Sequence, residues 1–199
     1  MSSVPVTKLS PEEYLRRERL AEFKSEFYRG ETFATTGASR RHNLVAGNIY
    51  AAVHTQLRDG DCEAYGSDMR VHIAATGLYT YPDITIACGQ PKFVDGVLDT
   101  LLNPKVLFEV LSDSTEKYDR GVKSGHYRQI ESLQEYVLVS QNEPRVEVYE
   151  RRDAGTWLLK EATKLGESIT IESLGVTLPL EEVYRRVTFA EPANDPTPQ

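Results

Sequence analysis

The first 188 residues read as a single α/β (α+β) domain, and three observations carry that expectation. Two short apolar runs, YPDITIAC at 81–88 and VLFEVL at 106–111, are rich in β-branched or aromatic residues and bounded by turn formers, the composition of strands. Polar capping residues open helical segments at Ser10 and Ser39. Between these, Arg29-Gly30 separates two strand-like runs in the manner of a β-hairpin turn. With 199 residues and 40% hydrophobic content, the chain is long and apolar enough for one buried core. The residues before Thr7 and the proline-rich end, 189–199, are expected to be disordered tails.

Taken in order, Ser10, Pro11 and Glu13 supply an N-cap, a first-turn proline and a capping-box acid. A helix is predicted from there to about Glu22, with Tyr14, Leu15 and Leu20 facing inward. The hairpin over 24–35 follows, then a helix from roughly Arg40 to Arg58. Its core face is read as Leu44, Ile49, Val53 and Leu57, with Ala46, Ala51 and Ala52 allowing close approach to a sheet. Strands are predicted at 62–65 and 69–74, and a turn at 76–78 leads into the 81–88 strand. The long connection over 89–103 is placed at the mouth of the site. After the 106–111 strand, Ser112 to Thr115 offer caps for a helix from about 115 to 131. Its apolar row, Tyr118, Val122 and Ile130, is expected to dock on the sheet. Strands at 135–139, 145–150, 157–160 and 168–171 and a short helix at 179–186 complete the chain.

The formal net charge of −7 argues against nucleic-acid binding through bulk charge. A nuclease is compatible with it if basic residues cluster, and Lys117, Arg120, Lys123 and Arg128, helped by Arg40 and Arg41, are the candidates. Cys62 and Cys88 belong to no zinc spacing and read as buried thiols, which with the lack of a secretory signal makes the cytoplasm the default location. No apolar run approaches the roughly 20 residues of a membrane span. His54, His72 and His126 form no metal-ligand spacing, and there is no glycine-rich phosphate loop or nucleophile elbow.

Each of the two apolar runs carries one carboxylate, Asp83 and Glu109. Side chains alternate along a strand, so Asp83 shares a face with Thr85 and Ala87, and Glu109 with Leu107 and Leu111. A single strand carboxylate is ordinarily solvent-facing or ion-paired. Two on neighbouring apolar strands are costly to bury without a compensating cation and point to a divalent metal. Downstream, Asp119, Lys123 and Tyr127 recur at i, i+4 and i+8 on one helix face, which by itself is the pattern of an exposed ion pair. His42 opens the second helix, where it can meet a phosphate or a neighbouring acid, or serve as a local hydrogen-bonding residue.

YPDITIACG at 81–89 and NPKVLFEVLSDSTEKYDRGVKSGHY at 103–127 resemble the PD-(D/E)XK restriction-endonuclease-like superfamily, and most closely its Uma-type endonuclease family. Arg29-Gly30, Arg41-His42-Asn43 and SDMRV at 67–71 sit where that family places lesser motifs, so the resemblance extends to about Glu150. It implies an α-β-β-β-α-β core whose mixed central sheet is flanked by helices. It further implies a Mg²⁺- or Mn²⁺-dependent endonuclease acting on DNA, with Asp83, Glu109 and the Val110 carbonyl as metal ligands. The family lysine stands two residues after the glutamate, where this chain has Leu111. Lys123 is the expected substitute, with Glu26, His42, Asp119 and Tyr127 as accessory residues. A homodimer suits the cutting of two strands by one site each. Leu111 and the acidic charge keep a second class open, a non-catalytic module of the same fold binding nucleic acid or protein. A small-molecule metallohydrolase is a third.

Overall fold

The computed structural model describes residues 8–35, 37–153 and 155–189; the expected tails lie, Phe189 apart, outside them. The chain opens with α1 (Pro11–Glu18), the hairpin β1 (Ser25–Tyr28) and β2 (Glu31–Ala34), and α2 (Arg40–Leu57). Strands β3 (Cys62–Tyr65), β4 (Arg70–Ile73), β5 (Leu78–Thr80), β6 (Ile84–Cys88), β7 (Thr100–Leu101) and β8 (Val106–Leu111) follow. A broken helix comes next: α3 (Glu116–Tyr118), a π-helical turn at Asp119–Lys123, and α4 (Ser124–Tyr127). The chain closes with β9 (Glu135–Ser140), β10 (Val146–Asp153), β11 (Thr156–Ala162), β12 (Ser168–Ile171), β13 (Val176–Pro179) and α5 (Leu180–Val183).

The central sheet is six-stranded, in the order β11-β10-β9-β8-β6-β3. It is mixed: β8 and β9 run parallel, and every other neighbouring pair is antiparallel. All six residues of β8 are buried, as a strand covered on both faces requires. On one face, Val106, Phe108 and Val110 pack with Val45, Ile49 and Val53 of α2 and with the β12–β13 ribbon. On the other, Leu107 and Leu111 pack with Tyr127, Ile130, Tyr136 and residues of β4 and β5. That second cover is a five-stranded sheet, β2-β1-β5-β4-β7, which the sequence did not separate from the first. The expected α-β-β-β-α-β core is α2, β3, β6, β8, the broken helix and β9.

Several expectations are corrected here. Helix α1 stops at Glu18, leaving Leu20 77% exposed, while Tyr14 and Leu15 are buried as anticipated. On α2 the core position is Val45 rather than Leu44, which restores regular four-residue spacing to Ile49, Val53 and Leu57. The 89–103 connection contributes β7 to the second sheet, and Arg19 clamps it to α1 through Asp95 and Asp99, both at 2.8 Å. Cys62 and Cys88 are joined as a disulfide, because the β3–β6 register sets them directly opposite with Cα atoms 3.9 Å apart. The thiol argument for a reducing compartment falls with that correction. Among the described residues no helix is long and apolar enough to cross a membrane.

The largest departure concerns the helix after β8. Its expected apolar row does not dock as a unit: Val122 is 61% exposed, whereas Asp119, Lys123, Ser124, Tyr127 and Ile130 are buried. The π turn is responsible, since Ser124 N–H donates to the Asp119 carbonyl five residues back and shifts the register of the faces. The Tyr136 hydroxyl, from β9, also donates to that carbonyl at 3.1 Å and holds the widened turn against the sheet. The helix therefore turns its charged face inward. We expect Val122→Lys to change unfolding free energy by no more than about 0.5 kcal/mol, and Ile130→Ala to cost about 2–4 kcal/mol, both measured by urea denaturation.

Candidate active site

The inward face of the broken helix meets the carboxylate of β8. Lys123 Nζ lies 2.8 Å from Glu109 Oε1 and 3.5 Å from both Asp119 Oδ1 and Glu26 Oε1. Glu26 arrives from β1, where the hairpin turn at Arg29 and Gly30, both with positive φ, returns the chain. Its carboxylate accepts hydrogen bonds from Thr80 Oγ1 of β5 and from the Tyr118 hydroxyl. Tyr127 donates to Glu109 Oε1 at 2.6 Å. Asp83 stands just before β6, whose pairing of Ile84 with Phe108 brings it beside Glu109. Its Oδ2 accepts from the Val110 N–H at 2.7 Å and lies 3.2 Å from His42 Nε2 in the first turn of α2.

Every predicted site residue is thus in one cluster: Asp83, Glu109, Val110, Lys123, Glu26, His42, Asp119 and Tyr127. The predicted basic cluster is not. Lys123 is 5% exposed among carboxylates, and Arg120 is held by Glu116 at 2.7 Å and Glu147 at 2.6 Å. Sequence reasoning missed Thr80, Tyr118 and Tyr136, because a hydroxyl in a strand or helix carries no pattern that separates it from ordinary packing.

Four carboxylates face one ammonium and one imidazole in a space nearly closed to water. Burial pushes Glu109 well above the usual carboxylate range; the Lys123 charge offsets part of this, and the Asp119 and Asp83 charges add to it. Burial also raises Asp119, against the pull of Lys123 and a hydrogen bond from Thr115. For Lys123, burial opposes the charge but the Glu109, Glu26 and Asp119 carboxylates outweigh it, and its pKa is raised well above the usual lysine value. Burial likewise opposes the charge on His42, and the Asp83 hydrogen bond and charge prevail, so its pKa is raised. The cluster holds more acid than the protein's own cations balance.

The donor set fits a hard divalent cation. Among the described residues, Asp83 Oδ1 and Glu109 Oε2 have no hydrogen-bond partner, while the other oxygen of each is fixed by Val110 and His42 or by Tyr127 and Lys123. Such outer contacts orient ligands and leave the open oxygens for the metal. A separate trio, Asp61, Cys62 and Cys88, has donor atoms close enough for a metal, but both of its sulfurs are in the disulfide.

The sequence model of Uma2, described as "Putative restriction endonuclease", matches residues 11–181. The chain belongs to the Uma2 family. Two proteins of Synechocystis sp. are similar over nearly their whole length. "Uncharacterized protein slr1290" is 34% identical over 94% of this chain and 97% of its own length. "Uncharacterized protein sll1609" is 40% identical over 86% of this chain and 97% of its own. The fold also matches the crystal structure of a "putative nuclease belonging to DUF820" from Anabaena variabilis, with a TM-score of 0.70 at 15% identity, covering 87% of this chain and 96% of that one. The architecture is restriction-endonuclease-like, and Uma2 membership makes the chain an endonuclease-like hydrolase.

In this Uma2 protein the ammonium of Lys123 is the main counter-charge inside the acidic cluster. We expect Lys123→Ala to destabilise the metal-free protein by about 3–5 kcal/mol, because removing one member of a buried ion pair strands its partners. Millimolar Mg²⁺ is expected to return part of that loss, read as a larger metal-induced rise in melting temperature than wild type shows.

Proposed function

We propose that the protein is a Mg²⁺- or Mn²⁺-dependent endonuclease hydrolysing phosphodiester bonds of DNA, acting as a homodimer that presents one site to each strand. The observation that supports this best is the 2.8 Å contact between Lys123 Nζ and Glu109 Oε1, with Asp83 beside them. Asp83, Glu109 and the Val110 carbonyl would hold the metal, which when bound polarises the phosphate and lowers the pKa of water.

The chain's own residues do the rest. Lys123 holds a positive charge where the attacking water and the phosphate oxygens must sit, which stabilises developing negative charge. It fills the role left by Leu111, whose buried apolar side chain packs with Tyr127 and Tyr136. Tyr127 and Asp119 keep the ammonium and Glu109 in register, and His42 orients Asp83. Glu26, carried by the second sheet, lies 3.5 Å from Lys123 Nζ and would be a further contact to the water or metal.

Leu111 at the family's lysine position favours one alternative, a non-catalytic module that binds nucleic acid or a protein. Incubating supercoiled and linear DNA with Mg²⁺ or Mn²⁺ separates the two. Wild type is expected to nick and linearise the DNA, with Asp83→Ala, Glu109→Ala and Lys123→Ala each slower by roughly 100-fold or more. Activity retained in Lys123→Ala alone would remove the lysine from the mechanism. No cleavage by wild type on any DNA form would leave the binding module. Mg²⁺ is also expected to raise the melting temperature of wild type but not of Asp83→Ala.

A further inference from the structure

At the far end of β6 from Asp83 lies a second set of donors, which the acidic cluster does not use. Cys88 closes β6 and Cys62 opens β3, and the register sets the two opposite each other with Cα atoms 3.9 Å apart. The Gly89 N–H donates to the Asp61 carbonyl at 2.9 Å, so Asp61 and Gly89 are the hydrogen-bonded pair and the cysteines the adjoining unbonded one. Side chains stand closest in a pair of that kind. The pairs Glu63–Ala87, Ala64–Ile86 and Tyr65–Thr85 continue the ladder, so the backbone keeps the two sulfurs side by side whether or not they are bonded.

Asp61 brings a carboxylate to the same place. Its Oδ1 is 3.7 Å from Cys62 Sγ, and a disulfide sulfur carries no hydrogen to donate. The carboxylate has no other polar partner among the described residues. Donor atoms of Asp61, Cys62 and Cys88 all lie within 4.8 Å of one another. Zinc held by two thiolates needs sulfurs roughly 3.8 Å apart, from Zn–S bonds of about 2.3 Å at a tetrahedral angle. Small rotations about the Cα–Cβ bonds reach that separation once the sulfurs are no longer joined. Both cysteines are half-buried and Asp61 is exposed, so the fourth position opens to water. Two sulfurs with one carboxylate select a thiophilic ion such as Zn²⁺ over Mg²⁺.

We propose that Asp61, Cys62 and Cys88 form a redox-exclusive metal clasp: a disulfide when oxidised, and a Zn²⁺ site with one bound water when reduced. A dithiol reductant supplies the change of state. Its two thiols become its own disulfide, while the Cys62–Cys88 bond breaks and takes up the two electrons and two protons. Both protons leave to solvent as the sulfurs bind Zn²⁺. Either form fastens β3, the edge strand of the central sheet, to β6, the strand that Asp83 leads into. It also anchors the chain leaving α2, which stops at Leu57 just before β3. The acidic cluster takes no part, so the clasp stands whether or not the protein cuts DNA.

The test takes the full chain reduced with a dithiol and desalted without oxygen, beside the oxidised protein, with Co²⁺ as the probe. Reduced protein is expected to give the near-ultraviolet thiolate-to-cobalt absorption, which Zn²⁺ then displaces, and oxidised protein to give none. Asp83 and Glu109 offer only oxygen and cannot produce that band. Cys62→Ser and Cys88→Ser are each expected to lose most of it. Where either variant fails to fold, Asp61→Asn decides the matter, because it keeps both sulfurs and the backbone ladder. Its reduced form is expected to bind Zn²⁺ more weakly than wild type by roughly tenfold or more. No band in the reduced protein, an equal band in the oxidised protein, or undiminished Zn²⁺ affinity in Asp61→Asn overturns the clasp. So does a thiol assay that finds both cysteines free after oxidation.

Discussion

The interior is arranged around the ammonium of Lys123. A buried carboxylate in the middle of a strand is tolerable only with a counter-charge close by. Glu109 has one at 2.8 Å because the helix that follows its strand turns its polar face inward. Asp119 and Glu26 then share the same cation, so β8, the helix after it and the distant β1 are drawn to one point. Taking Lys123 away would leave each of them desolvated and unmatched, which makes this contact both an organiser of the two covering layers and the chemical centre. A structure that spends so much buried charge at one place, with four carboxylates against one ammonium and one imidazole, departs from the usual economy of a hydrophobic core. Such departures are the expected mark of a functional site.

Much of this was legible in the sequence, and the reason is local. The strands at 84–88 and 106–111 announce themselves by β-branched composition, and the acids within them by contrast with it. The hairpin at Arg29-Gly30 and the caps at Ser10 and Ser39 are short-range signals, and they appear where local chemistry puts them. What escaped depends on register or on more distant partners. The facing of Cys62 and Cys88 is a property of two strands aligned 26 residues apart, invisible in either alone. The division of the strands into two sheets follows from how β4 and β5 fold across the central layer. The π turn misled the reading of Val122, because an apolar residue on a helix at regular spacing looks like core until the register slips by one. For the acidic cluster, spacing suggested that Asp119, Lys123 and Tyr127 share a face, and the same slip keeps all three buried.

The two faces of the central sheet divide the labour. Toward α2, the sheet packs with aliphatic side chains and the β12–β13 ribbon, and its one buried acid near that ribbon, Glu135, is matched by the N–H groups of Glu172 and Ser173 and by the Ser173 hydroxyl. There a carboxylate serves as a fully bonded structural anchor. Toward the second sheet, Asp83 and Glu109 each keep one oxygen without a partner among the described residues. Two carboxylates on one face, Glu109 buried and Asp83 half-buried, are left incomplete while one elsewhere is completed. That contrast in satisfaction, more than burial itself, separates the chemical centre from the scaffold.

The broad separation in sequence of Glu26, Asp83, Glu109 and Lys123 bears on how the protein is made. The parallel pairing of β8 with β9 cannot form until the intervening helix has been synthesised, and that helix carries Lys123. Long-range closures of this kind come late in folding. Until that helix is made Glu109 has no counter-charge, although β6 already flanks its strand, so a ribosome-bound or truncated chain ending before Lys123 lacks an assembled acidic centre. The topology itself therefore keeps the cluster from existing before the helix after β8 is in place.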